Sequence, residues 1–133
     1  MKKITFLVAI VGISLLAAAC KTSQKNTSTS TANVDPLTKV YDVALSFYSK
    51  GGGIDLDGVK KMKSFTQTFA KEKGIAIPEP FKQSWGREGE ADYFFDLAGI
   101  KKPQRELFKT GIKTALQGNQ FHFKENVQPR QKQ

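Results

Sequence analysis

Cysteine, histidine and tryptophan occur once each in the 133 residues. One cysteine excludes an internal disulfide framework, and one cysteine with one histidine excludes a Cys/His zinc site. The chain has no G-x-G-x-x-G run and no G-K-[S/T] loop, so it lacks both common phosphate-cradling fingerprints. It has no aromatic-glycine motif of the kind that stacks RNA bases on a sheet. No apolar run reaches the roughly 20 residues that a membrane-spanning helix needs. No cofactor and no nucleic-acid partner are expected on these grounds.

What is present is globular composition with a basic balance. Hydrophobic residues make up 39%, and 21 Lys+Arg against 12 Asp+Glu give a formal charge of +9. The length allows one ordinary domain. Met1-Lys2-Lys3 opens the chain and an apolar run over residues 4–19 follows. A cationic start, a short apolar stretch and small residues at its end describe a secretory signal peptide. The alternative reading is an uncleaved N-terminal anchor. Leu16-Ala17-Ala18-Ala19 stands directly before Cys20.

A cysteine after small residues at that place resembles the lipobox of bacterial lipoproteins, a resemblance confined to residues 1–20. It implies that Cys20 receives a diacylglyceryl thioether, becomes the new N-terminus and is then N-acylated. Several acyl chains on one residue anchor stably, because each buried CH₂ contributes about 0.8 kcal/mol. Lys21 follows, where an Asp would favour inner-membrane retention under the enterobacterial rule. The chain is thus similar to the outer-membrane class. Loss of residues 1–19 removes Lys2 and Lys3, and the formal charge falls from +9 to +7. A basic domain held at an anionic envelope surface gains about 1 kcal/mol per Lys or Arg close to the lipid. Plain solubility explains the same charge equally well.

Residues 20–38 read as the lipidated cysteine and a flexible tether. Residues 21–36 are rich in Ser and Thr and poor in apolar side chains. Such a stretch cannot offset its ordering entropy by burial. As a coil it reaches about 22 Å.

Residues 39–128 read as one α+β domain. Tyr41, Val43, Leu45 and Phe47 alternate with Asp42, Ala44, Ser46 and Tyr48, a strand pattern. Gly51-Gly52-Gly53 ends it, and Asp55 or Asp57 then caps a helix. Val59, Met62, Phe65 and Phe69 form its apolar stripe, and Gly74 stops it. Pro78 and Pro80 place the next strand, within 75–85, at a sheet edge. A turn at residues 86–89, a strand over 91–97, a helix from Pro103 to Gly118 and a strand over 120–127 complete the order. Strand, helix, strand, strand, helix, strand is the split βαβ arrangement of ferredoxin-like folds. It predicts a four-stranded antiparallel sheet in the order 4-1-3-2, with both helices on one face and the other face open. Residues 129–133 are expected to be a disordered tail.

Three candidate sites follow. The glycine run at 51–53 sits where a helix start favours anions, but Asp55 and Asp57 occupy that place, so a turn with a cap is the stronger reading. The 85–92 hairpin gathers Trp85, Arg87, Glu88, Glu90 and Asp92. Arg87 suits a carboxylate, Trp85 suits stacking, and surface hairpins often carry function. A solvated hairpin with Arg87 paired to Glu88 or Glu90 is the plainer alternative. The open sheet face is expected to carry Ser46, Tyr48, His122 and Lys124, and the acid that His122 would need as a general base is Asp92, Asp96 or Glu90, if the third strand turns them outward. The sequence therefore predicts an envelope lipoprotein, anchored in the membrane by lipid, whose domain binds an envelope protein. A small-ligand or acid/base site built from Arg87, Glu88, Glu90 and His122 is the alternative. An inhibitor or immunity-type lipoprotein using the same hairpin is another.

Overall fold

The computed structural model describes residues 34–131. Six elements follow in order: β1 (Tyr41–Phe47), α1 (Leu56–Lys73), β2 (Phe81–Ser84), β3 (Ala91–Phe95), α2 (Lys102–Ala115) and β4 (Phe121–Val127). The strands form one sheet in the order β2-β3-β1-β4, and every neighbouring pair is antiparallel. This is the ferredoxin-like split βαβ fold that the element order predicts.

Each helix has a local cause. Asp55 caps α1 by accepting from the Gly58 N–H at 2.9 Å. Gly74 ends α1 in the left-handed region at φ 60, and its N–H returns to the Ala70 and Lys71 carbonyls. Pro103 stands in the first turn of α2, where its missing N–H costs nothing. Met62 and Phe69 of α1, and Phe108 and Ile112 of α2, turn inward against Val43, Leu45, Phe47, Tyr93 and Phe95. Phe65, Phe69 and Phe95 pack their rings around Phe108 at centroid distances of 5.4–5.6 Å.

The ladder of β2 covers only four residues, less than the 75–85 stretch suggests. Pro78 and Pro80 have no N–H to give, so pairing starts after them. The strand is an edge strand, as the prolines require.

The other face of the sheet is not open. Ala44, Ser46, Asp92 and Phe94 are all at most 6% exposed. Tyr41 also lies there, stacked on Phe81 and tilted against Phe94, rather than in line with Val43 and Leu45. The alternation breaks at the start of β1, where Asp42 instead pairs with Arg105 of α2 at 3.1 Å. On β4 the break coincides with Asn126 at φ 51. Residues 128–131 supply the cover. Residues 129–131 were expected within a disordered tail, but they run across the sheet and are bonded to it. Pro129 is buried, and Gln83 and the Arg130 backbone exchange two hydrogen bonds. Residues 132 and 133 lie outside the described residues.

Candidate functional site

The 85–92 hairpin closes through the Trp85 N–H, which donates to the Glu90 carbonyl at 3.0 Å. The Glu90 carboxylate folds back and accepts from the Glu88 N–H at 2.9 Å. It comes so near Gly86 that a Cβ there would stand 1.8 Å from its oxygen. A side chain there would have to displace that carboxylate. Gly89 takes φ 90, which glycine adopts without strain. The hairpin is therefore a shaped loop that fixes where Trp85 points.

Trp85 points at Asp92. Its Nε1–H donates to Asp92 Oδ1 at 2.9 Å. The Asp92 side chain is 6% exposed, so its charge needs a partner. That partner is Arg130. Its Nε lies 3.9 Å from Asp92 Oδ2, and its guanidinium carbon lies 4.8 Å from the Trp85 ring centre. A planar guanidinium over an indole face is a favourable cation–π arrangement. Gln83 completes the site. Its Nε2 donates to the Arg130 carbonyl at 2.9 Å and its Oε1 accepts from the Arg130 N–H at 3.1 Å. One side-chain amide thus reads an extended backbone as a neighbouring strand would.

The hairpin candidates separate into two groups. Trp85 and Asp92 meet. Glu88 and Glu90 shape the loop, and Arg87 stays exposed at the tip. Arg87 forms no ion pair with Glu88 or Glu90, contrary to the solvated-hairpin alternative. Sequence reasoning missed Gln83 and Arg130, which complete the site across a separation of 47 residues.

On the covered face, the register sets Gln83, Asp92, Ser46 and His122 in one row across four strands. Ser46 is buried, while His122 and Lys124 are exposed. Tyr48 and His122 come together as expected, their rings stacked at 4.5 Å and 15°. The order of the row matters for chemistry. Asp92 and His122 are two strands apart, about 10 Å at ordinary strand spacing, with Ser46 between them. No carboxylate among the described residues hydrogen-bonds His122, so this arrangement presents no oriented acid–base couple. Nor does any group of three or more metal-ligating side chains gather among the described residues.

The glycine run leads into a structural junction. Asp55 accepts from the Gly58 N–H, from Asn119 Nδ2 at 2.8 Å and from the Gln120 N–H at 3.0 Å. These bonds, the Gly58 one first, hold its carboxyl below the ordinary value of 3.8. Asp55 therefore serves as cap and clamp, and its negative charge repels an anion from the loop.

Cys20 and the lipobox-like segment lie outside the described residues. Among the described residues no helix is long and apolar enough to cross a membrane. Comparison with protein-family models, with curated proteins and with solved structures finds no match.

Proposed function

We propose that this protein is an envelope lipoprotein, anchored through Cys20 and tethered near the membrane by residues 21–36, whose α+β domain binds a protein partner. One observation carries the binding reading. The Gln83–Trp85–Asp92 cluster combines an exposed aromatic, a buried carboxylate and a backbone-reading amide beside the edge strand β2. Aromatic and charged anchors of this kind dominate the energetics of protein interfaces. The anchor reading rests on the resemblance of residues 1–20 and on Lys21, which favours the outer membrane.

The charge distribution fits such a placement. α1 carries Lys60, Lys61, Lys63, Lys71 and Lys73 against Asp57 and Glu72. α2 carries Lys102, Arg105, Lys109 and Lys113 against Glu106. The helix layer is thus strongly cationic and suits an anionic lipid surface, while the binding cluster lies on the other side of the sheet.

Membrane-fraction mass spectrometry and affinity capture test this together. The expected results are an acylated Cys20 at the N-terminus and a partner retained by the native chain but lost with Trp85→Ala. An unmodified N-terminus beyond residue 20 would remove the anchor. Equal capture by native and Trp85→Ala protein would remove the binding site.

A further inference from the structure

The segment over the sheet is bonded in an unusual way. Among the described residues, the four hydrogen bonds that hold residues 128–131 are all solvent-exposed. Two of them, from Gln128 Nε2 and Gln131 Nε2, end on the single carbonyl of Leu37. A cavity of about 80 Å³ remains beneath the segment, bordered by Ser46, Asp92, Lys124 and Arg130. A groove of about 450 Å³ also runs from residues 35–37 along all of β2, beside Leu37, whose carbonyl accepts from Gln128 and Gln131.

Asp92 sets a condition on anything that takes the segment's place. With the segment docked, its carboxylate has the Trp85 N–H on one oxygen and the Arg130 cation near the other. An uncharged replacement would leave a buried carboxylate without its cation. A flat guanidinium also covers the Trp85 ring, which an ammonium matches less well.

We infer that the Gln83–Trp85–Asp92 cluster is a receptor for an extended, arginine-bearing peptide segment of a partner protein, and that residues 128–131 are its internal competitor. This rests on the binding-module reading above and adds to it the chemistry of the ligand and its regulation. The partner's segment lays its backbone along the Gln83 amide, seats its guanidinium between Trp85 and Asp92, and extends into the groove along β2. The tail leaves the site as the partner enters.

Trp85 is the only tryptophan of the chain, so its emission reports the site directly. Full-length protein in detergent is titrated with a synthetic peptide of residues 127–131, VQPRQ. The Arg130→Ala protein is expected to bind it saturably, with a Kd at least tenfold below that of the native protein, whose own tail competes. The peptide carrying Arg130→Ala is expected to produce no saturable change. Equal Kd values for native and variant protein would overturn the inference. So would absence of binding to a variant whose circular dichroism matches the native protein. Arg130→Gln repeats the comparison with a bulkier side chain, and loss of the fold in both variants would make the segment a structural strand and end the proposal. A concentration-dependent dimer of native protein, abolished by Arg130→Ala, would assign the site to exchange between copies and overturn the partner assignment. Partner capture that depends on Trp85, with no peptide binding, would remove this inference and leave the binding module standing.

Discussion

Asp55 joins three segments through one side chain: the start of α1, Asn119 and the N–H that opens β4. Losing an N-cap costs about 1 kcal/mol, and two further hydrogen bonds raise Asp55→Ala to about 2 kcal/mol. Urea denaturation near neutral pH measures that difference. Because the folded carboxyl sits below 3.8, its contribution is complete above that pH and is lost as pH falls through the depressed value. The gap between native protein and Asp55→Ala should therefore be constant from about pH 5 to 7 and shrink below pH 3.8. Legibility at this scale follows sequence distance. The Asp55 cap was readable because its partner is near in the chain, and the hairpin marked Trp85 and Asp92 as candidates without showing that they bond to each other. Gln83 and Arg130 were not, because nothing local in a short edge strand or a polar terminus signals a contact 47 residues away.

α1 and α2 meet where Gly111 faces Phe65. A Cβ at Gly111 would stand 2.6 Å from the Phe65 ring, whose movement Phe69 and Phe108 restrain on its flanks. Gly111→Val should therefore destabilise by about 1–3 kcal/mol through overpacking. Phe108→Ala, which empties the centre of the same cluster, should cost about 3–5 kcal/mol. Thermal or urea unfolding of the two variants checks both, and a neutral Gly111→Val would show that the helices can separate freely. The element order was legible because strand alternation and helical stripes are local patterns. The prolines located the edge strand for a steric reason. The covered face was not legible, since the pattern of β1 to β4 is equally compatible with a sheet that faces solvent. The exchange of faces at Tyr41 and Asp42 escaped the same logic, because a break in alternation leaves no mark in a run of mixed apolar and polar residues.

At the scale of the molecule, the cationic helix layer and the Gln83–Trp85–Asp92 cluster lie on opposite sides of the sheet. The lysines of α1 and α2 project from the helix layer, while the Gln83–Trp85–Asp92 cluster lies on the side that the C-terminal segment crosses. Attraction to anionic lipid weakens over about 10 Å at 0.1 M salt. The Cys20→Ser chain should therefore cosediment with anionic vesicles at low salt and lose most of that binding near physiological salt. Salt-independent cosedimentation would contradict the electrostatic account. The central claim is that the anchored domain meets a partner through its hairpin side. Photo-crosslinking in cells tests it most directly, with a photoreactive residue placed at Arg87 on the exposed tip or at Thr114 on the exposed side of α2. The account predicts a discrete crosslinked species from position 87 that increases with Arg130→Ala and is absent from position 114. No crosslink at 87, or the same species from both positions, would contradict it.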